Sequence, residues 1–333
     1  MKKHWSVLIY CCGLAAASIG ISINSSGVFY TPVSKSLHIL RGTFSMHMTL
    51  FSLATAIISL FVPKIYQKFS FKKILTFSVI IAVVSTAAMA LGKNAITFYI
   101  LGAIRGMSTS LFSIVPITMI INGWFEKKHG LATSIAFGFS GLGGTLCSPV
   151  LSSVISSFNW QMGYLLKAVI LLLLCLPAVL YPFSMNAKDE GLLPYGYQEK
   201  HETTQNQATS SFHFMSISFI AFFIFGMLIS CITSVTQHLP GYGESLGFPL
   251  TSCAILLSAG MMGNIVSKLI IGSLSDHFGE MKATLMMISV NILGIDLLII
   301  GRSMTLLIVG AFLFGSCYSL GAVAVPLLTK YFF

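Results

Sequence analysis

Residues 249–279 read PLTSCAILLSAGMMGNIVSKLIIGSLSDHFG. The part from 249 to 271 carries a single charged side chain, Lys268, and a short polar segment around Asp276 follows it. An apolar run of this length can cross the ~30 Å hydrocarbon core of a bilayer as one α-helix. A helix satisfies its own backbone polar groups in lipid, where no water is present to do so. The stretch therefore predicts a membrane-spanning helix.

The composition of the whole chain agrees with this prediction. Hydrophobic residues make up 55% of the 333 residues and charged residues only 8%, with a mean hydropathy of +0.88. Soluble domains carry about 25% charged residues, and a soluble protein with so few would expose large apolar patches. The net charge is +10, but the basic residues fall mainly between apolar runs. We therefore expect the lipid bilayer, and not nucleic acid, as the partner of this chain.

Apolar runs recur along the sequence and predict ten membrane-spanning helices. They lie at 6–29, 43–63, 74–92, 96–122, 131–157, 162–183, 212–236, 249–271, 283–300 and 304–327. The expected fold class is an all-α polytopic membrane protein.

The one long polar stretch, 184–211, divides these ten spans into six and four. It contains charged residues, proline, glycine and a Gln/Thr/Ser-rich run, which is typical of a linker. We expect an N-terminal six-helix bundle at 1–183, a cytoplasmic linker at 184–211 and a C-terminal four-helix bundle at 212–333. Because lysines are concentrated in alternate connecting segments, the positive-inside rule places both termini in the cytoplasm, with the protein in the cell membrane.

Two segments at corresponding places in the halves are similar. Residues 101–125 read LGAIRGMSTSLFSIVPITMIINGWF, and residues 309–333 read VGAFLFGSCYSLGAVAVPLLTKYFF. Glycine, alanine and closing aromatic residues align without gaps, although chance similarity between apolar segments is the alternative. A repeat would make span ten the counterpart of span four. The C-terminal bundle would then be incomplete, as in a twelve-helix carrier that lacks its last two spans.

A stripe of small and polar residues runs along span eight. Its members recur at every fourth position and share one helix face: Gly260, Asn264, Lys268, Gly272 and Asp276. Small residues on such a face allow a neighbouring helix to approach closely. A charge in hydrocarbon costs ~3 kcal/mol or more, so Lys268 either faces an aqueous cavity or extends to the membrane surface.

Two other cations lie within predicted spans. Arg105 is well inside span four, and a guanidinium at that depth indicates a functional site. The alternative is a structural hydrogen-bond anchor to a neighbouring helix. Lys167 lies near the predicted outer end of span six, where we expect its side chain to reach the membrane surface.

Signs of catalytic chemistry are absent from the sequence. It has no nucleotide-binding glycine loop, no zinc-binding HExxH and no recognisable Ser/His/Asp arrangement. The seven cysteines lie in apolar runs without a CxxC pair, which indicates packing residues. We therefore predict no catalytic residues, no metal and no cofactor, and a protein that is not an enzyme.

Two motifs resemble those of a known family. The segment GSLSDHFG (272–279) resembles the loop motif that follows spans two and eight in the major facilitator superfamily. The segment NGWFEKKHGLATSIAFGFSGLGG (122–144) resembles the signature between spans four and five of its monocarboxylate-porter and oxalate/formate-antiporter branch. In that branch a cation on span eight pairs with the carboxylate of the substrate. Lys268, Gly272 and Asp276 match its spacing from the loop motif.

The chain also departs from this branch. Lys268 stands where arginine is usual and lacks the bidentate fork of a guanidinium. Asn264 stands where some members have a carboxylate. The acidic-Gly-aromatic signature of the animal monocarboxylate members is absent from span one, and the first-half loop motif is degenerate.

The resemblance implies a secondary carrier of a small organic anion, a monocarboxylate or a dicarboxylate, that works by alternating access around a central site. It would be a monomer and would use a proton in symport or a counter-anion in antiport. The expected substrate-binding residues are Arg105, Lys268 and Asn264, and the expected gating loop residues are Gly272, Asp276 and Gly279. The alternative is a truncated, non-transporting membrane protein or an interaction partner of other membrane proteins.

Overall fold

The computed structural model describes residues 2–126, 129–197, 217–325 and Leu328. Within these ranges, nine helices are long and apolar enough to cross a membrane, and a bent helix pair brings the number to ten if it forms one span. The spans are α1 (Lys3–Ser36), α2 (Arg41–Ser59 with Val62–Lys68), α3 (Phe71–Leu91), α4 (Ala95–Trp124), α5 (His129–Ser157), α6 (Trp160–Leu180), α7 (Phe219–Ser245), α8 (Leu250–Phe278), α9 (Glu280–Ile300) and α10 (Met304–Ala324). The predicted all-α polytopic fold is confirmed.

Side-chain caps explain where several of these helices begin. The side-chain oxygen of Asn94 accepts a hydrogen bond from the Thr97 amide at the start of α4. The side-chain oxygen of Asn159 accepts one from the Met162 amide at the start of α6. Each cap satisfies one of the backbone N–H groups that the first helical turn leaves unpaired. In α2, Pro63 follows the 54° bend, where its missing N–H is tolerated at the start of the second piece.

The first span is irregular in its middle. A π-helical stretch covers Ala16–Asn24, and a 3-10 turn covers Ser26–Phe29. Gly20 in this stretch lies against α5, where an added methyl group would overlap the Ser140 carbonyl. Because π-helical insertions frequently occur at functional sites, this part of α1 is a candidate for such a site.

The chain folds into two compact units. The first contains Met1–Gly196 and Gln237–Ser258, and the second contains Tyr197–Thr236 and Ala259–Phe333. The boundary between the units therefore passes through α7 and α8. The predicted division of the chain into bundles at 1–183 and 212–333 stays a prediction.

Glycine brings α4 and α2 together in the first unit. A methyl group at Gly102 would overlap the His47 carbonyl, and one at Gly106 would overlap the Phe51 carbonyl. Small residues of this kind let helix backbones approach closely where lipid supplies no hydrophobic driving force. Arg105 lies between these two glycines in sequence, so this packing fixes the part of α4 that carries it.

The first residues of the predicted linker pack onto the first unit. Trp124 donates its indole N–H to the Ser184 carbonyl at 3.0 Å, and Tyr195 forms a single β-bridge with Phe125. Lys3 and Glu190 form an ion pair at 2.5 Å. The part of the linker from 198 to 211 lies outside the described residues.

Close packing in the second unit involves α8 and α10. A methyl group at Gly263 would overlap the Phe312 carbonyl, and one at Gly315 would overlap the Gly260 carbonyl. The predicted approach of a neighbour to the small-residue face of α8 is therefore observed at Gly260. At Gly272, by contrast, no described atom lies within 4 Å of an added methyl group.

Candidate functional site

Arg105 is buried in the middle of α4, with 1% of its surface exposed. Its Nη2 donates to the Ser22 carbonyl at 2.9 Å, and its Nη1 contacts the Met89 sulfur at 3.2 Å. The guanidinium carbon lies 5.3 Å from the centre of the Phe51 ring, which is a cation–π distance. All of these partners are electrically neutral.

Carboxylates do not balance this charge in the described part of the chain. The ion pairs there are Lys3–Glu190 and Lys35–Glu244, and neither involves Arg105. An ion removed from water costs several kcal/mol unless it is paired. The burial of an unpaired guanidinium is therefore expensive, as expected for a residue with a functional role.

Lys167 is fully buried, so the expectation that it reaches the membrane surface is wrong. The Asn159 cap starts α6 early enough to place Lys167 two turns inside the helix. Its Nζ donates to the Ser26 hydroxyl at 2.8 Å and lies 5.2 Å from the centre of the Phe29 ring. One signal was present in the sequence, because Tyr164 lies three residues before Lys167 on the same helix face. In the structure, Tyr164 stacks on Phe29, the ring that Lys167 also contacts.

A chain of hydrogen bonds joins these two cations through the irregular part of α1. Lys167 donates to the Ser26 hydroxyl, which donates to the Ser22 carbonyl at 2.9 Å. The same carbonyl accepts from Arg105. The sequence did not predict this association, because α1, α4 and α6 are far apart along the chain.

The other two predicted substrate-binding residues lie in the second unit. Asn264 on α8 is buried, and its side-chain oxygen has no hydrogen-bond partner in the portion that the structure describes. Lys268, one turn later, is partly exposed. A buried amide oxygen without a partner costs about 1–3 kcal/mol, which suits a group that binds a ligand.

The predicted gating residues Asp276 and Gly279 do not share one loop in the structure. The α8 helix continues to Phe278, so Asp276 lies in its last turn and not in a loop. Gly279 forms the whole connection to α9 with a left-handed φ of 83°, which glycine adopts without strain. The side chain of Asp276 lies outside the described residues, and its predicted role stays a prediction.

A cavity of about 720 Å³ lies elsewhere in the first unit. Its lining includes Tyr66, Lys72, Asn122, Phe183 and Asn186, and it contains none of the predicted substrate-binding residues. Lys72 donates to the Ala178 carbonyl at 2.7 Å, near the C-terminal end of α6. This cation is thus occupied in capping a helix. Groups of three or more potential metal ligands do not occur among the residues described.

Comparison with known proteins identifies the family. The family model described as Major Facilitator Superfamily matches residues 11–332. An uncharacterized MFS-type transporter, YcxA, from Bacillus subtilis (strain 168) is 26% identical over 183 residues, which are 54% of this chain and 44% of the relative. The chain spans less than half the length of the curated relatives that it matches.

Solved structures agree on the fold. The crystal structure of the nucleoside transporter NupG gives a TM-score of 0.72 at 15% identity, covering all of this chain and 83% of the other. The D-xylose-proton symporter gives 0.64 at 15% identity, covering 96% of this chain and 81% of the other. The family match supports the prediction that the protein is not an enzyme. On the extent of the family match, this chain belongs to the Major Facilitator Superfamily.

Proposed function

We propose that this protein is a secondary carrier that moves a small organic anion across the cell membrane by alternating access. The observation that carries the proposal is the burial of Arg105 in α4 with only neutral partners. A carboxylate is the natural partner of such a guanidinium, because charge-assisted hydrogen bonds are about twice as strong as neutral ones. Substrate binding would then repay part of the cost of burying the charge.

We also propose substrate-binding roles for two residues of the second unit. Lys268 supplies a second positive charge, and Asn264 supplies a buried amide oxygen that lacks a described partner. The resemblance to the monocarboxylate-porter and oxalate/formate-antiporter branch supports the role of Lys268. We further propose that Gly272, Asp276 and Gly279 form the gating segment.

The remaining parts of the proposal concern coupling and orientation. The matched structures include a carrier described as a proton symporter, which supports a proton as the driving ion, with a counter-anion as the other choice. The distribution of lysines supports cytoplasmic termini. We propose a monomeric carrier, because a single chain supplies all of the residues named.

Uptake by purified protein in proteoliposomes tests this function. We expect accumulation of radiolabelled lactate or succinate, stimulated by a pH gradient or by internal anion. Arg105→Gln and Lys268→Gln should each reduce uptake at least tenfold at equal protein incorporation. Lys93→Gln, which alters an exposed lysine, should transport like the wild type. Unchanged uptake in both site variants would reject the proposal, as would transport of uridine or D-xylose without any of either acid.

A further inference from the structure

The first unit contains a second buried cation that the proposed binding set does not use. Lys167 is 0% exposed and Arg105 is 1% exposed, and three hydrogen bonds of 2.8–2.9 Å join them through Ser26 and Ser22. Two basic side chains are therefore joined by one chain of hydrogen bonds inside the first unit.

The groups that these cations contact carry no charge. Lys167 contacts a hydroxyl and the Phe29 ring, while Arg105 contacts a carbonyl, a thioether and the Phe51 ring. The Nε of Arg105 is buried without a hydrogen-bond partner in the described ranges. Neutral acceptors and aromatic faces compensate a buried charge only in part, because each removed ion loses several kcal/mol of hydration. Both cations thus retain the capacity to bind an anion.

We propose that Arg105 and Lys167 together bind one carboxylate group of the transported molecule, in place of the Ser22 carbonyl and the Ser26 hydroxyl. The inference rests on the proposed function, in which the substrate is an organic anion. A carboxylate offers two oxygens and about four lone-pair sites, so it can accept from both cations at once. The Ser26 hydroxyl, once released by Lys167, can donate to the same carboxylate.

The irregular backbone of α1 favours this exchange of partners. Ser22 lies in the π-helical stretch, and Ser26 begins the 3-10 turn. The Gly27 amide that follows donates to the Gln237 side chain at 3.0 Å. Because a regular α-helical ladder is already interrupted here, the two serines can shift without disrupting a continuous helix.

Ligand-induced stabilisation of the purified full-length chain tests the inference without relying on transport. Lactate and succinate serve as probes, with lactamide and succinamide as their uncharged counterparts. We expect the acids, and not the amides, to raise the unfolding temperature of the wild type. Lys167→Gln should weaken that response roughly tenfold or more in apparent affinity, and Lys167→Arg should restore most of it. Lys93→Gln should respond like the wild type.

Neutral replacement of a buried lysine carries a risk of misfolding, which a second variant addresses. Lys167→Met has a similar length and suits apolar surroundings, so it should elute as a monodisperse species and also lose the response. A Lys167→Gln or Lys167→Met protein that responds to acid like the wild type overturns this inference, while the carrier proposal stands. A wild type that responds to neither acid and transports neither overturns the anion-carrier proposal, and this inference with it.

Discussion

Arg105 of α4 donates a hydrogen bond of 2.9 Å to the backbone carbonyl of Ser22 in α1. That carbonyl also accepts from the Ser26 hydroxyl, so it would keep a partner if the guanidinium were removed. This geometry separates the two explanations for the buried arginine. A structural anchor would stabilise the fold, whereas a substrate-binding group would reduce its stability.

Arg105→Met should therefore abolish anion uptake while leaving the free energy of unfolding unchanged or increased. An apolar side chain of similar length removes the cost of burying a charge, and the Ser22 carbonyl stays paired. Reversible unfolding in mixed micelles measures the stability, and proteoliposome uptake measures the activity. Loss of about 3–5 kcal/mol would instead identify Arg105 as a structural anchor.

Gly106→Ala should separate α4 from α2 and destabilise the first unit by about 1–3 kcal/mol, because the added methyl group overlaps the Phe51 carbonyl. The matched control is Gly138→Ala in α5, where no atom of the described residues lies within 4 Å of the new methyl group. The control should be neutral or stabilising by up to about 1 kcal/mol, since alanine has the better helix propensity. Equal effects of the two substitutions would contradict the close packing.

Gly263 and Gly272 of α8 should differ in the same way. Gly263→Ala overlaps the Phe312 carbonyl in α10 and should destabilise the second unit by about 1–3 kcal/mol. Gly272→Ala meets open space in the described structure and should not destabilise it. Thermal unfolding of both variants provides the comparison. A large destabilisation by Gly272→Ala would show that a neighbour does approach this end of the small-residue face.

Two contacts between α1 and the C-terminal part of α7 should contribute very unequally to the free energy of unfolding. The Gly27 amide donates to Gln237, and both groups are buried, so Gln237→Ala should cost about 1–3 kcal/mol by leaving that amide unpaired. The Lys35–Glu244 ion pair is largely exposed at the lysine, so Glu244→Gln should cost less than about 1 kcal/mol. Raising the salt concentration should reduce the contribution of the Lys35–Glu244 pair to stability and leave that of the Gly27–Gln237 hydrogen bond unchanged. The reverse order would contradict this ranking.

Lowering the pH should weaken the contacts that hold residues 184–190, the segment after α6, against α1 and α4. Burial alone would raise the pKa of Glu190, but hydrogen bonds from Lys3 and the Ser184 amide outweigh burial and lower this pKa. Because the folded-state pKa is lowered, the stabilisation is complete above the unfolded pKa and disappears as pH falls through the folded value. In a background with both Trp5 and Trp160 replaced by phenylalanine, fluorescence of Trp124 should report this release, since its indole donates to the Ser184 carbonyl.

Glu190→Gln should remove the acid transition, and the neighbouring exposed carboxylate provides the control. Asp189→Asn should leave the transition in place, because Asp189 has no ion pair in the described structure. An identical transition in Glu190→Gln would assign it to another group.

The positions of the membrane spans followed from local sequence. Each predicted span lies close to an observed helix, because hydrophobic length alone determines which segments enter a bilayer. The bend in α2 and the continuation of α8 to Phe278 were not predicted. These features depend on backbone geometry at particular residues, which average hydropathy does not report.

What the sequence determined by itself was membrane residence, the helical fold and the burial of Arg105, since each depends on a residue and its immediate neighbours. Only the tertiary structure joined Lys167 to Arg105 through hydrogen bonds of Ser26 and Ser22 in α1. The distance between two charges depends on how helices remote in sequence pack together. In lipid that packing is decided by close contacts of small residues, which hydropathy cannot distinguish from other apolar positions.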